Sequence, residues 1–357
     1  MCTSPMLAEL RRDPKTGKYR YFFCCKDGAT SLPYHLNKRE RSTSDLFISP
    51  SKLSCLGLDK DAYIRISCGN CAECRLKYSK DWSTRMLCEA ATYNFENCYF
   101  LTLTYDNNNL RFGVTGNPTV CKDDIKKFMN SIRDNQLYQF KHTGVRYYGA
   151  TEYGDITERP HCHVILFNCK VPSDGFKYLF TNNFNQPLYK GLYFEKYWPY
   201  GFVTVGGLSF ESCAYVARYC MKKHKGKEKS YYTDLQIEAE DSTKSNRPGI
   251  GHLWFDEHFH ELYINEDDFI VDSIYFPASA FLDSKAKKLA IPSYFDDLLE
   301  AKDADVYKRV KANRLLKANN AEDMHYYMVG DGFNSDYFVA NEAKFKSISK
   351  KLSKFCI

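Results

Sequence analysis

Two histidines separated by one residue lead into an apolar run in the segment His161–Phe167 (HCHVILF). A short run that is apolar on both faces predicts a central, buried β-strand. Side chains two residues apart point to the same face of a strand, so His161 and His163 are expected to project side by side. Rigidly placed imidazoles suit a metal site, although most such pairs at a strand entrance are unrelated polar residues.

The preceding segment, Val145–Glu152, also has the character of a strand, and turn residues and Pro160 follow it. We therefore predict a β-hairpin in which Glu152 lies beside His161. Two imidazoles and one carboxylate leave coordination positions open, which suits a divalent ion that also holds a phosphate oxygen. Glu158 is the competing carboxylate, and Glu152 is preferred because a strand end is better fixed than a loop.

A second pair of histidines, His258 and His260, is flanked by acidic residues and is not followed by an apolar strand. We expect these two side chains to lie on the surface without binding a metal.

The segment Phe210–Lys225 predicts a helix, with Ser209 as its N-cap and Gly226 just past its end. At about 100° per residue, its apolar side chains fall on one arc and predict a buried face. These residues are Phe210, Cys213, Ala214, Val216, Ala217, Cys220 and Met221. Tyr215 and Tyr219 fall on the opposite arc, one turn apart.

The arc with the two tyrosines also carries cations, among them Arg218, Lys222 and Lys223. A phenol has a pKa of about 10 and is a weak nucleophile at neutral pH. A nearby lysine and a metal-bound electrophile favour attack as the phenolate, and Lys222 is the best-placed cation on the helical wheel. In a chain with 28 tyrosines, two of them four residues apart are a weak signal without the two-histidine strand.

The charge of the chain is concentrated in one segment. The net charge is +6, and Arg218–Lys229 holds six basic residues against one acidic residue. Such a stripe is typical of a surface that binds polyanions, and it makes Arg218, Lys223 and Lys225 candidates for DNA contacts. The alternative is a solvated helix end, where cations complement the helix dipole.

The order of secondary structure predicts an α+β fold, with a mostly antiparallel central sheet and flanking helices, because strands and helices interleave without a regular β-α-β rhythm. The predicted strands are Tyr99–Tyr105, Val145–Glu152, His161–Phe167 and Phe202–Val205, and the helices are Cys71–Ala91, Asp123–Asp134 and Phe210–Lys225. Composition divides the chain into an N-terminal extension (1–60), a central domain (61–235) and a C-terminal region (236–357).

The chain has 15 cysteines, and no secretory signal is recognisable, which predicts reduced thiols in a cytosol. Cys68, Cys71 and Cys74 form a closely spaced run that offers three ligands for Zn²⁺. A structural zinc site needs four ligands, and Cys55 and Cys88 are candidates for the fourth. The alternative is that these thiols are buried or incidental.

Three motifs, in this order, resemble the replication-initiation proteins of small single-stranded DNA phages (microvirus- or gokushovirus-like), which are HUH endonucleases. They are Phe100–Asp106 (FLTLTYD), Arg159–Phe167 (RPHCHVILF) and Tyr215–Lys223 (YVARYCMKK). The segments Cys68–Cys74 (CGNCAEC) and Arg247–Gly251 (RPGIG) are similar to further segments of that phage group.

The resemblance implies a role for each matching residue. His161 and His163 match the paired metal ligands, and Glu152 would be the third ligand. Tyr215 and Tyr219 match the two nucleophilic tyrosines. The lysines that follow, Lys222 and Lys223, match those near the active tyrosines. The family's ferredoxin-like sheet agrees with the predicted α+β fold, and the resemblance makes residues 61–235 the nickase domain.

The resemblance further implies a rolling-circle initiator that nicks and rejoins DNA through a 5′-phosphotyrosine, with Mg²⁺ or Mn²⁺ as the cofactor. The expected partners are single-stranded or extruded origin DNA and the host helicase and polymerase, in the cytoplasm of a bacterial host. No membrane partner is expected, because no stretch of 18 apolar residues occurs.

Two other functions compete with this interpretation. A non-enzymatic DNA-binding protein would hold zinc at the cysteine run and would bind DNA without a covalent adduct. A metal-dependent hydrolase or oxygenase would use Glu152, His161 and His163, and its tyrosines would be dispensable.

Overall fold

The computed structural model describes residues 6–12, 19–23, 63–66, 69, 72–154, 157–182, 185–222, 230–264, 270–276 and 286–329. The chain divides into two compact units, of which the larger holds the described residues between Tyr78 and Asn320. The smaller unit includes a three-stranded antiparallel sheet with the order β2-β1-β3. Its strands are β1 (Met6–Arg12), β2 (Tyr19–Phe23) and β3 (Tyr63–Ile66).

The remaining strands are β4 (Tyr99–Tyr105), β5 (Arg146–Tyr153), β6 (Pro160–Phe167), β7 (Lys177–Thr181), β8 (Pro187–Lys190), β9 (Gly201–Gly207), β10 (Ser242–Lys244), β11 (Ser273–Phe276) and β12 (Lys287–Ala290). The helices are α1 (Ala72–Ala91), α2 (Lys122–Phe140), α3 (Leu192–Glu195), α4 (Phe210–Lys222), α5 (Ser230–Asp234), α6 (His252–Tyr263), α7 (Ser293–Lys302) and α8 (Ala304–Val329). In the part of the chain that is described, no helix is long and apolar enough to cross a membrane.

The larger unit is built on a seven-stranded sheet with the order β10-β5-β6-β4-β9-β8-β7, in which every neighbouring pair is antiparallel. Its four central strands, β5-β6-β4-β9, have the strand order of a ferredoxin-like fold. Helix α2 connects β4 to β5, which run in the same direction on either side of β6. The predicted α+β fold with an antiparallel central sheet is confirmed.

Helices cover both faces of this sheet. Leu101, Val164 and Val203 pack against α2 and α3 on one face. On the other face, Phe100 and Ile165 pack with side chains of α1, α4, α6 and α7. Alternation along β6 therefore places His161 and His163 on the face that carries α4, together with Ile165.

The four predicted strands are confirmed, but α2 continues six residues beyond its predicted end at Asp134. The polar residue Gln136 is buried within this extension. Its side-chain amide donates to the carbonyl of Lys170 and to the hydroxyl of Tyr193, at 2.7 and 2.8 Å. A tertiary hydrogen-bond network therefore supports a polar turn that sequence periodicity alone did not predict as helical.

A buried ion pair joins α1 to the start of β5. Arg146 donates from Nε to Glu89 and from Nη2 to the carbonyls of Pro248 and Gly249, at 2.7 and 3.0 Å. The second oxygen of Glu89 accepts the backbone N–H of Gly251 at 2.7 Å. The RPGIG segment is thus folded around this ion pair, and it holds α6 against the sheet.

Residues beyond position 235 contribute directly to the larger unit. Strand β10 pairs with β5, extending the sheet at one edge. Trp254 and Phe255 of α6 and Phe295 of α7 belong to the same buried cluster as Phe100 and Ile165 of the sheet. The unit that contains the sheet therefore continues past residue 235.

Replacing Glu89 with alanine is expected to lower the free energy of unfolding by about 3–5 kcal/mol, because the Arg146 charge remains buried without its partner. Urea denaturation of the full chain measures this change. The exposed ion pair between Lys126 and Asp123 provides the control, and Lys126→Ala is expected to cost less than about 1 kcal/mol. Equal losses in the two variants would contradict the role assigned to the buried pair.

Candidate functional site

The hairpin of β5 and β6 brings a carboxylate to the two histidines. Glu152 pairs directly with His161 in the β5–β6 register, and Ala150 pairs with His163. Cross-strand partners lie on the same face of a sheet, so Glu152 lies beside His161 and diagonal to His163. The predicted hairpin is confirmed, and its turn is anchored by Arg159, which donates to the carbonyl of Tyr105 at 2.6 Å.

One oxygen of Glu152 approaches both imidazoles. Its Oε2 lies 2.8 Å from Nε2 of His161 and 3.1 Å from Nε2 of His163. Octahedral coordination with metal–ligand bonds near 2.1 Å places adjacent ligands about 3 Å apart. The three ligand atoms lie within 4.8 Å of one another. Their spacing therefore fits a divalent metal ion.

The other ring nitrogens determine which atoms are available to a metal. Nδ1 of His161 lies 3.1 Å from the carbonyl of Arg159, which can only accept a hydrogen bond. Nδ1 therefore carries the proton, and the Nε2 lone pair of a neutral ring points at Glu152. For His163, Nδ1 lies 3.1 Å from the hydroxyl of Thr102. A hydroxyl can accept the same kind of hydrogen bond, which leaves Nε2 of His163 as a ligand.

Electrostatics also favour a cation at this position. Burial works against ionisation of Glu152, which is 2% exposed, but hydrogen bonds and positive charge from His161 and His163 outweigh it. The pKa of Glu152 is therefore held below its ordinary value, so the group is a carboxylate at neutral pH. Lone pairs of a carboxylate and two neutral imidazoles repel unless a proton or a metal ion lies between them.

Strand β4 supplies the surroundings of the histidines. Thr102 pairs with His163 in the register, and Thr104 pairs with His161. The ring of Phe100 stacks on that of His163, with centroids 5.4 Å apart. The FLTLTYD motif therefore contributes packing and a hydrogen bond that hold the orientation of His163.

Helix α4 carries Tyr215 to the same place. The Tyr215 ring lies edge-on to His163, with centroids 5.0 Å apart, and 6.1 Å from the ring of Phe100. The guanidinium of Arg218 lies 5.9 Å from the Tyr215 centroid. The structure thus brings one predicted tyrosine, one predicted cation and the three predicted metal ligands together.

The helical wheel was right about the buried face of α4 but not about the surroundings of Tyr215. Cys213, Ala214, Val216 and Ala217 are buried as predicted. The Tyr215 ring is half-buried and packs against the same core, because α4 is covered by more than one neighbour. Ser79 of α1, for example, donates to the carbonyl of Ala214 at 3.2 Å.

The other predicted residues of the basic segment are less fully described. Tyr219 follows Tyr215 by one helical turn, and Lys222 is the last residue of α4, but their side chains lie outside the described part. Lys223 and Lys225 lie outside the described residues altogether.

Two alternatives considered from the sequence are placed away from the histidine cluster. Glu158 lies exposed in the turn between β5 and β6. His258 and His260 lie on α6, where a separation of two residues turns them about 200° apart, too far to share a metal ion. His258 instead stacks on Trp254, with centroids 4.4 Å apart.

The predicted zinc site lies largely outside the described residues, which include neither Cys68 nor Cys71 nor Cys55. Cys74 is half-buried near the start of α1. Cys88 is fully buried in the hydrophobic core, and burial raises the pKa of its thiol well above the ordinary value. Cys88 is therefore a packing residue in this structure.

Sequence reasoning missed the two groups that orient the histidines, Thr102 and the Arg159 carbonyl. The alternation in FLTLTY does carry a signal for Thr102, because Phe100, Thr102 and Thr104 must share one strand face. Which face that is depends on the pairing of β4 with β6, which the sequence did not reveal.

Comparison with known proteins gives an independent view of this region. Residues 98–224 match a family model of replication-associated proteins, described under the name ORF2. This range contains β4, the β5–β6 hairpin and α4, and therefore all three motifs that suggested the resemblance. No solved structure matches the chain significantly.

Three curated proteins are similar to the chain. Replication-associated protein ORF2 of Spiroplasma virus 4 is 28% identical over 81% of this chain and 85% of its own length. Replication-associated protein VP4 of Bdellovibrio phage phiMH2K is 25% identical over 79% and 81%. Replication-associated protein ORF4 of Chlamydia phage 1 is 31% identical over 48% and 43%. The resemblance to the replication proteins of small single-stranded DNA phages is therefore confirmed.

Proposed function

We propose that the chain initiates rolling-circle replication by nicking one DNA strand and later rejoining it through a 5′-phosphotyrosine. One observation carries this proposal: the Tyr215 ring lies 5.0 Å from the ring of His163, one of three side chains whose ligand atoms converge. A nucleophile, an electrophile-binding site and a cation therefore occupy one end of one sheet face.

The proposed metal ligands are Glu152, His161 and His163. A bound Mg²⁺ or Mn²⁺ would supply Lewis acidity toward a phosphate oxygen and would help neutralise charge in the transition state. Imidazole nitrogens suit Mn²⁺ better than Mg²⁺, which prefers oxygen ligands. The chain's own contribution is to hold these three side chains in place, through Thr102 and the Arg159 carbonyl.

The proposed nucleophile is the phenolic oxygen of a tyrosine on α4. It forms a bond to phosphorus while the bond from phosphorus to the 3′ oxygen breaks. The phenolic proton leaves to solvent, and the departing oxygen takes up a proton to become a 3′-OH. Arg218 lies beside the Tyr215 ring, where a cation favours the phenolate form.

Two tyrosines one turn apart suit a reaction that must run twice. After a round of synthesis, Tyr219 would cut the regenerated origin, and the new 3′-OH would attack the phosphotyrosine at Tyr215. The opposite order is equally compatible with the helix. The phosphodiester bond energy is retained in the covalent intermediate, so sealing needs no nucleotide cofactor.

The remaining parts of the proposal concern partners and location. Lys222, Lys223 and Lys225 would continue the basic surface after Arg218 and would contact origin DNA in its single-stranded or extruded form. The 3′-OH would be extended by the host helicase and polymerase in the bacterial cytoplasm. The nicking activity would reside in residues 61–235, and the Cys68–Cys74 run would hold zinc.

The nucleophiles can be tested directly. With Mn²⁺ and origin-bearing single-stranded DNA, the wild-type chain is expected to form a covalent adduct that survives SDS electrophoresis. Tyr215→Phe and Tyr219→Phe are each expected to reduce the adduct, and the double variant is expected to abolish it. Tyr138→Phe is the matched control, because Tyr138 lies exposed on α2 at the other face of the sheet.

The outcomes separate the competing functions. Adduct formation by the double variant would exclude these tyrosines as the nucleophiles. Salt-sensitive DNA binding with no adduct in any variant would favour a non-enzymatic DNA-binding protein. Metal-dependent cleavage that needs Glu152 but neither tyrosine would favour a hydrolase.

The orientation of His163 provides a second test. Thr102→Val keeps the side-chain shape but removes the hydroxyl that contacts Nδ1, so the ring loses its preferred tautomer. Mn²⁺ affinity, measured by calorimetry, is expected to fall about 10- to 100-fold. Thr204→Val is the control, because Thr204 pairs with Thr102 from the opposite strand, β9. Unchanged affinity in Thr102→Val would contradict the role of Thr102.

A further inference from the structure

We propose that the sheet face between His161 and the β7 edge is a binding floor for single-stranded DNA. In this arrangement Phe202 stacks on a base, and Lys190 and Lys177 contact phosphates. This inference rests on the proposed function, because it specifies how the substrate strand would approach the histidine cluster. The DNA floor consists of Thr104, Phe202, Thr204, Lys190 and Lys177.

The strand register places these residues on the same face as the metal ligands. Thr104 pairs with His161 on one side and with Phe202 on the other. Phe202 is therefore two strands from His161, about 10 Å at the usual strand spacing. A DNA strand with a phosphate at the histidine cluster would pass over Phe202 if it ran across the sheet.

A second row of paired residues runs parallel to the first. Thr102, which contacts His163, pairs with Thr204 on β9. Thr204 pairs with Lys190 on β8, and Lys190 pairs with Lys177 on β7. Cross-strand partners share a face, so this row leads from His163 to two lysines at the edge of the sheet.

Phe202 is exposed in a strand whose neighbouring residues are well packed. Its side chain is 59% exposed, whereas Val203 and Val205 on the opposite face are buried in the core beneath α2 and α3. An aromatic ring that remains accessible on a rigid strand offers a stacking surface for any base. The Nζ of Lys190 lies 6.0 Å from the centroid of Phe202, which places a cation next to that ring.

The charges on the DNA floor favour a polyanion. Like charges directly opposite each other in a sheet are destabilising, and Lys177 and Lys190 form such a pair. Glu195 offsets part of this charge, with a carboxylate oxygen 3.4 Å from the Nζ of Lys190. Lys177 is exposed and extends the positive surface to the edge of the sheet.

Single-stranded DNA fits this combination better than a duplex. An exposed ring beside cations can stack only on a base whose face is accessible, and bases in a duplex are already stacked on their neighbours. The threonines between the histidine cluster and Phe202 are small, so they leave room for a backbone to lie on the sheet. The DNA floor is therefore expected to bind single strands without strong sequence preference.

The test is equilibrium binding of a fluorescein-labelled oligo(dT), followed by anisotropy, with the full chain in EDTA so that no metal-dependent chemistry occurs. The oligonucleotide should exceed the roughly 4–16 nucleotides that a surface of this kind covers. Phe202→Leu is expected to weaken binding about fivefold or more, the loss from one stacked base. Phe202→Trp, which keeps a ring, is expected to bind at least as well as the wild type.

The control is Tyr178→Leu. Tyr178 is 57% exposed, close to the value for Phe202, but it pairs with Tyr189, which packs against the core on the opposite face. Its loss is expected to leave binding unchanged. Equal effects of Phe202→Leu and Tyr178→Leu, or equal affinity of the wild type for duplex and single-stranded DNA, would overturn the proposal.

The lysines have a separate readout. The double variant Lys177→Gln and Lys190→Gln is expected to make binding less dependent on salt, by roughly 0.7 in the log–log slope for each phosphate that the protein no longer neutralises. An unchanged slope would exclude these lysines as phosphate ligands.

The adduct assay separates this inference from the proposed function. If Phe202→Leu binds oligo(dT) like the wild type while the wild type forms the adduct, the DNA floor is wrong and the nickase stands. If Phe202→Leu loses binding while the wild type forms no adduct, the floor stands and the nickase is wrong.

Discussion

The site depends on the register of the β5–β6 hairpin. Glu152 faces the same side as His161 and His163 because it pairs directly with His161. A slip of one residue would move Glu152 to the opposite face of the sheet. The register is strongly specified, because Val164, Ile165 and their neighbours fill cores on both faces. The packing of the core therefore determines whether three ligand atoms meet.

Strand β5 links this site to a second polar cluster. Arg146 at its first position is paired with Glu89 of α1 and with the RPGIG segment, whereas Glu152 near its last position contacts the histidines. The buried ion pair locates α1 and α6 on the same sheet face that carries α4. It therefore helps to position the layer of helices in which Tyr215 lies, although it takes no part in the proposed chemistry.

Much of the fold was predictable because its signals are local. Apolar runs and alternation identified β4, β5, β6 and β9, and the His-x-His spacing established that both imidazoles share a face. The extra turns of α2 and the half-burial of Tyr215 were not predictable in this way. The first depends on the contacts of Gln136 with Lys170 and Tyr193, and the second on helices that cover α4. Short edge strands such as β7 and β10 also lack a clear local pattern.

The sequence by itself determined the chemistry that is available: two imidazoles on one strand face, a carboxylate at the end of the neighbouring strand, and two phenols one helical turn apart. It also determined the hairpin, because a strand, a turn and a second strand follow one another within a few residues. Tertiary structure alone decided that Tyr215 lies beside His163, that Thr102 contacts Nδ1 of that ring, and that Phe202 remains exposed on the same face. These contacts join residues far apart in the chain, and they depend on how strands pair and which helices cover them.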